Sequence, residues 1–221
     1  MKERLTEELI AMRAVKELKP GDYCNLGIGL PQQCASHIPE GVQVQTENGA
    51  IGYGPLISVD NLDKLDVDLV DAGTMFFTPA PGMCFIDMLT CFAMIRSRRL
   101  ISVLGGLEVS AHGDLAIHGM SETDEYLQIG GSMDLAWGAR RLLVAMTHNT
   151  KDGQPKIVRE LTLPLTARKC VDLIITDLAV IAISEQCLTL KEVAPGWTPQ
   201  EVQEFTAAPL TFAADIKEME W

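Results

Sequence analysis

The pattern of apolar and polar positions switches repeatedly between a helical period and a strand-like one. Apolar residues recur at helical spacing over residues 4–18 and 83–95, and Pro31 and Thr198 mark the starts of two shorter helices. Apolar runs of strand length stand at 23–26, 100–104, 142–146, 173–177 and 180–183, whereas residues 42–46 alternate. Strands and helices therefore follow one another along the chain.

This succession favours an α/β fold. We expect one domain over residues 1–221, with a mostly parallel, partly mixed central sheet covered by helices on both faces. Residues 109–117 are interpreted as a polar excursion or hairpin, and 173–183 as a hairpin at a sheet edge. Thr166 is expected to cap a short helix over 167–171, and Leu69-Val70 to form a short strand.

Composition narrows the classes of function. The net charge of −12 argues against a nucleic-acid-binding surface. We find no apolar run long enough to span a membrane and no secretory signal at Met1. The 6 cysteines form no CxxC pair, and Cys84 and Cys91, seven apart, are interpreted as core thiols on one helix face. We therefore expect a cytoplasmic protein with reduced thiols and neither nucleic acid nor membrane as a partner.

Several common catalytic patterns are absent from the sequence. The 4 histidines are scattered without paired spacing, so we expect no metal site. There is no GxSxG elbow and no Walker A motif, and Gly27-Ile28-Gly29 lacks the third glycine of a dinucleotide fingerprint, since Gln32 stands there.

What remains is Glu47, which follows the alternating run 42–46 and precedes a glycine-rich turn. Other glycine turns stand at 27–29, 105–106 and 130–131. A carboxylate at a strand end among exposed backbone N–H groups can act as a general base or as a covalent nucleophile. On these residues alone, a plain turn residue among tight turns stays an open alternative.

A series of short motifs resembles the β (B) subunit of family I coenzyme A transferases, in the branch that acts on 3-oxoacids or acetate. Residues 45–49 and 52–55 are similar to its SENG and GxGP signature, with Thr46 in place of the usual serine. Further matches stand in the expected order and cover most of the chain, at 21–31, 71–73, 104–109, 130–135, 151–153 and 163–166.

The resemblance implies a mechanism. Glu47 would attack an acyl-CoA and then carry coenzyme A as a glutamyl thioester, so coenzyme A is a substrate and carrier and no separate cofactor is expected. Gly130 and Gly131 would lie near Glu47 and offer a backbone N–H to an oxyanion. Gly27 and Gly29 would form an anion-binding or close-approach turn, and Asn48 would orient the carboxylate. Each could instead be purely conformational.

The resemblance also implies a partner. In this family an α (A) chain and a β (B) chain build the site together, so we expect a separately encoded α subunit and an α2β2 assembly. The alternatives are an acyl-CoA hydrolase or dicarboxylate CoA-transferase using the same glutamate, a non-catalytic partner-binding subunit, and a sugar-phosphate isomerase of similar fold. Arg96, Arg98 and Arg99 would meet CoA phosphates or form a solvated helix end, and His118 and Tyr126 would shape the acyl pocket.

Overall fold

A ten-stranded sheet organises the chain in a computed structural model that describes residues 2–121, 129–184 and 187–221. Its strands, in spatial order, are β13 (Leu210–Glu218), β12 (Leu188–Val193), β11 (Ala179–Ile183), β10 (Leu173–Ile175), β8 (Arg141–Ala145), β5 (Leu100–Leu104), β1 (Tyr23–Leu26), β2 (Gln43–Gln45), β3 (Ala50–Ile51) and β4 (Cys84–Phe85). A small three-stranded sheet stands beside it, in which β6 (Glu108–Ser110) lies between β7 (Leu115–Ala116) and β9 (Ile157–Val158).

The centre of the large sheet is parallel. Strands β10, β8, β5, β1 and β2 all run in the same direction, while β3, β4 and β11 join as antiparallel strands. The mostly parallel, partly mixed sheet expected from the sequence is therefore confirmed. Because the carboxyl ends of parallel strands meet at one edge, the turns after β1, β2 and β5 share that edge.

Helices cover both faces, as expected. On one face, α2 (Met88–Ile95), α3 (Ser132–Gly138) and α4 (Pro199–Glu204) belong to the core that contains Leu100 and Leu104 of β5. On the other, α1 (Glu7–Val15) and a 3₁₀ helix (Leu30–His37) pack with Ile101 and Val103. The fully buried strand β5 therefore separates two apolar cores.

Three local predictions are wrong. The apolar run 83–95 is not one helix: its first part pairs with β3 as strand β4, and α2 begins only after the cap Asp87. Cys84 is consequently exposed, whereas Cys91 is buried. Residues 167–171 are not helical, because Thr166 and Ala167 both donate their N–H groups to Leu115 O. Val70 forms only an isolated bridge, with Phe76.

The hairpin predicted for 173–183 is confirmed, but its predicted position at a sheet edge is wrong. Strands β10 and β11 are antiparallel neighbours, and β12 and β13 lie outside them. A hairpin of β6 and β7 confirms the second alternative given for residues 109–117. Among the described helices, none has the length and apolar character needed to cross a membrane.

Candidate active site

Glu47 lies in a tight turn between β2 and β3. Thr46 O accepts the Gly49 N–H at 3.0 Å, and Thr46 N donates to Ala50 O at 3.0 Å, so Glu47 and Asn48 occupy the two central positions of the turn. Gly49 has a φ of 103°, and a Cβ there would overlap Ile86 O. Only glycine fits this position, because the backbone conformation is left-handed and the backbone before α2 passes against it.

The Glu47 carboxylate is half-buried, and among the described residues no donor or cation pairs with it. Burial raises its pKa, and the nearby carboxylate of Asp134 raises the pKa further. An ionised carboxylate with free lone pairs and raised basicity is chemically suited to act as a nucleophile or a base.

The turn before α3 lies against this carboxylate. A Cβ built on Gly131 would overlap Glu47 Oε2 and lie 2.7 Å from Cδ, so any larger residue there would displace the Glu47 carboxylate. Among the described residues the Gly131 N–H has no acceptor. Gly130 has a φ of 46° and open space around its Cα. The turn 130–131 thus lies beside Glu47, as the resemblance implied.

A group of buried polar side chains holds the backbone of the turn that contains Glu47. Cys91 Sγ, on α2, donates toward Glu47 O at 3.2 Å and Thr46 O at 3.5 Å. Gln45 Nε2 donates to Cys91 Sγ and to Thr46 O, both at 2.8 Å. Gln45 Oε1 in turn accepts from Asn25 Nδ2 at 2.7 Å. Burial raises the pKa of the Cys91 thiol, which keeps it a proton donor.

Sequence reasoning missed this group. It treated Cys91 as an apolar core residue and Gln45 as an ordinary member of an alternating strand. The signal available was Asn25, a polar residue between apolar neighbours in β1. In register, Asn25 lies between Gln45 and Ser102 on adjacent strands, so the three form a buried polar row on the face covered by α2 and α3.

Asn48 is exposed, and its amide donates to Val70 O at 2.8 Å. Thr46 Oγ1 accepts from Ala72 N at 2.8 Å. Both bonds tie the turn to the segment at 70–72. The Asn48 amide thus fixes the turn, and its described bond goes to this segment and not to the Glu47 carboxylate.

Gly27 and Gly29 follow β1 at the same sheet edge. Gly27 donates to Val103 O at 2.8 Å, and a Cβ there would come within 3.3 Å of the β5 backbone. Gly29 has a φ of 85° and donates to Gln32 Oε1 at 2.9 Å. Because both N–H groups already have acceptors, the geometry favours the close-approach alternative for Gly27 over an anion-binding turn.

The remaining candidates lie further out. Arg96 pairs with Asp134, with Nε 2.7 Å from Oδ1, and the Arg98 guanidinium lies 4.7 Å from the Trp137 ring centroid. His118 Nδ1 lies 2.6 Å from Thr166 Oγ1. Tyr126 lies outside the described residues. Within the described ranges, no group of three or more side chains is placed to hold a metal ion.

The family profile described as Coenzyme A transferase matches residues 8–204. The B subunit of the 3-oxoadipate CoA-transferase of Acinetobacter baylyi is 40% identical over 210 residues, which are 94% of this chain and 95% of that protein. A human protein, succinyl-CoA:3-ketoacid coenzyme A transferase 2, mitochondrial, is 37% identical over 99% of this chain but only 43% of its own length.

Among solved structures, the apoenzyme of the acyl-CoA transferase YdiF from Escherichia coli O157:H7 aligns with a TM-score of 0.74 at 20% identity. The alignment covers 100% of this chain and 44% of that one, and it shows a shared fold. The profile match over residues 8–204 and the 40% identity over 95% of the Acinetobacter baylyi protein decide the assignment. The chain belongs to the coenzyme A transferase family.

Proposed function

We propose that the chain is the B-type subunit of a CoA-transferase, which moves coenzyme A from an acyl-CoA to a small carboxylic acid with Glu47 as the covalent nucleophile. One observation carries the proposal. In a chain of this family, a half-buried carboxylate that has no partner among the described residues lies at the carboxyl end of a parallel strand, against the backbone of Gly131.

The reaction proceeds through two covalent states of Glu47. A carboxylate oxygen attacks the thioester carbonyl, the C–S bond breaks, and coenzyme A leaves as a thiolate, so an acyl-glutamyl anhydride remains. The thiolate attacks the glutamyl carbonyl and releases the first acid as a carboxylate. Glu47 now holds coenzyme A as a thioester. A second carboxylate attacks this thioester, and the same steps run in reverse. No net proton is consumed.

We assign stabilisation of the oxyanion of these steps to the Gly131 N–H. It has no acceptor among the described residues and it adjoins the carboxylate that becomes the reacting carbonyl. A backbone donor held rigidly at such a place stabilises the developing negative charge without reorganisation. The raised pKa of Glu47 also favours attack, because a more basic carboxylate is the better nucleophile.

The site requires a second subunit in this proposal. Apolar side chains on or next to α2 and α3 are exposed, among them Leu89 at 85% and Met88 at 67%. An A-type subunit that covered them would also exclude water from the anhydride and thioester. The relative from Acinetobacter baylyi is named as a B subunit, and this chain spans less than half of the human relative. We propose an α2β2 assembly in which the chain alone is inactive.

The substrates in this proposal are small carboxylic acids and their CoA thioesters, with 3-oxoacids or short-chain fatty acids as the first candidates. The names of the relatives support this class, since one is a 3-oxoadipate enzyme and another a succinyl-CoA:3-ketoacid enzyme. We also propose that the enzyme works in the cytoplasm, because all its cysteines are free, as in reducing compartments.

The test is to trap the thioester. The chain, assembled with its cognate A-type subunit, is incubated with acetoacetyl-CoA and treated with borohydride, which reduces a glutamyl thioester. We expect a mass change confined to the peptide that contains Glu47. Glu47→Gln should lower the rate of transfer by more than about 10⁴-fold, while Glu40→Gln, at a glutamate in the turn before β2, should transfer normally. Transfer without labelling of Glu47 would disprove the mechanism.

A further inference from the structure

We propose that Gln45 and Cys91 form a positioning pair, which sets the direction of the Glu47 side chain by fixing the peptide groups on both sides of its Cα. The inference rests on the proposed function, since it concerns the aim of the same nucleophile. Neither residue touches the carboxylate, so both act through the backbone.

The two carbonyls involved are those of Thr46 and Glu47. The first belongs to the peptide group before the Glu47 Cα and the second to the one after it. Because a peptide group is planar, the backbone has two soft dihedrals per residue, φ and ψ. Holding both planes therefore fixes both dihedrals of Glu47, and with them the direction of its Cα–Cβ bond.

Cys91 makes contact with both carbonyls from α2. Its Sγ lies 3.2 Å from Glu47 O and 3.5 Å from Thr46 O, so a single S–H is shared between them. The thiol is buried, and Cys91 and Ile95 are the buried residues of α2. The helix that is otherwise largely exposed thus anchors itself on the sheet next to the nucleophile through this side chain.

Gln45 completes the pair from the strand. Its amide nitrogen donates to Thr46 O and to the sulfur of Cys91, and its amide oxygen accepts from Asn25 Nδ2. The side chain is buried. Since Asn25 belongs to β1 in the parallel centre of the sheet, the position of the turn is tied directly to the core of the molecule.

The direction of the Glu47 side chain matters because the carboxylate also lies against Gly131. The carboxylate must reach the substrate while it passes the backbone of Gly131, where a Cβ would displace it. A displacement of about 1 Å in a reacting group can cost about 10²-fold in rate. Loss of the pair should therefore reduce the chemical steps more than it reduces substrate binding.

The test compares three variants in the assembled enzyme. Cys91→Ala removes the donor, Cys91→Ser keeps a donor at the same place, and Cys34→Ala removes another buried thiol, which donates to Ala11 O on the opposite face of the sheet. We measure kcat and KM for transfer, the rate of thioester formation on Glu47, and Tm.

We expect Cys91→Ala to lower kcat by about 10–100-fold with KM changed less than about threefold, and Cys91→Ser to recover most of kcat. Cys34→Ala should lower Tm but leave kcat within about twofold. Gln45→Met, which keeps the volume and removes the amide, should reproduce the kcat loss of Cys91→Ala, and it serves as the second variant if Cys91→Ala does not fold.

The inference is overturned if kcat in the Cys91 and Gln45 variants follows Tm as it does in Cys34→Ala, or if serine does not restore it. This outcome is distinct from failure of the proposed function, which would appear already in the wild-type enzyme as transfer without a thioester on Glu47.

Discussion

Asp134 lies in the first turn of α3 and acts on Glu47 through charge. Burial is the larger cause of the raised pKa of Glu47, and the Asp134 carboxylate adds to it. In the proposed mechanism Glu47 attacks as an ionised carboxylate, so activity should fall as the pH drops through this pKa. Asp134→Asn removes the repulsion and frees the cation of Arg96, which is now paired with Asp134.

Loss of this repulsion lowers the pKa of Glu47, so we expect the acid limb of the kcat/KM profile of Asp134→Asn to move to lower pH. The measurement is kcat/KM from pH 4 to pH 8 for the assembled enzyme. Glu40→Gln, which removes a carboxylate outside the site, should leave the limb in place. An unmoved or upward-shifted limb in Asp134→Asn would show that Asp134 does not influence the reacting group.

At this scale the sequence indicated Glu47 as the candidate nucleophile, but it did not indicate the groups that hold it. Glu47 and its glycine turn are local in the chain, so a short segment displays both. Gly131 required the resemblance, because nothing in its own neighbourhood points to residue 47. Gln45 and Cys91 were not predicted, since their role depends on a contact between β2 and α2, and a buried thiol resembles an apolar residue in any hydropathy pattern.

Arg13 joins α1 to the sheet through a buried ion pair. Its guanidinium binds Glu192 on β12 with two hydrogen bonds of 2.7 Å and Glu17 with one of 2.8 Å. Arg13→Met keeps most of the stem but leaves Glu192 without this cation in a poorly solvated place. We expect it to lower the free energy of unfolding by roughly 3 kcal/mol, measured by urea denaturation.

Arg140→Met is the matched control. Arg140 pairs with Asp22 at 2.7 Å, and its side chain is 54% exposed although Asp22 is only 14% exposed. Asp22 keeps the hydrogen bond from Lys19 N when Arg140 is removed. Because the cation of this pair is solvated and its carboxylate keeps a donor, the change should cost less than about 1 kcal/mol. Equal losses in the two variants would mean that the Arg13 pair does not hold α1 in place.

Helices and strands were predicted best where the spacing of apolar residues stays the same over a whole segment. The strand at 100–104 is buried on both faces, and its continuous apolar run correctly predicted a buried strand. The single helix predicted for 83–95 was wrong, because an apolar segment fits a short strand followed by a helix as well as one long helix. Strands β12 and β13 were not predicted: their register shifts between Leu190 and Glu192, which breaks the two-residue alternation.

His148 makes the stability of the whole molecule depend on pH. It is buried, its ring nitrogens lie 2.9 Å and 2.8 Å from the hydroxyls of Thr176 and Thr206, and burial lowers its pKa to about 4. Asp177 opposes this shift, whereas Arg4 and Lys156 add to it. The neutral ring therefore belongs to the folded state.

Above about pH 6.5 the ring is neutral in both states, so it adds no pH dependence. Between there and pH 4 the unfolded chain binds a proton that the folded chain does not, and stability falls as the pH falls. The total loss from this group is about 3 kcal/mol. Urea unfolding of the chain at pH 7, 6, 5 and 4.5 measures it.

His148→Gln should remove this part of the pH dependence, although its stability at pH 7 is lower. His112→Gln, at an exposed histidine beside Glu160, should keep the wild-type slope. If the slope between pH 6.5 and pH 4 is unchanged in His148→Gln, the acid sensitivity belongs to other groups.

The strand order has a consequence for synthesis on the ribosome. Strand β1 needs β5 on one side, and β5 needs β8, which ends only at Ala145. The turn that holds Glu47 therefore leaves the ribosome long before the strands and the Gly131 backbone that complete its surroundings. Until then, β1 and β5 present open edges and α2 presents apolar side chains. A pause in translation before residue 145 would leave a chain that chaperones should bind, and a pause before residue 173 would still leave β8 without its neighbour β10.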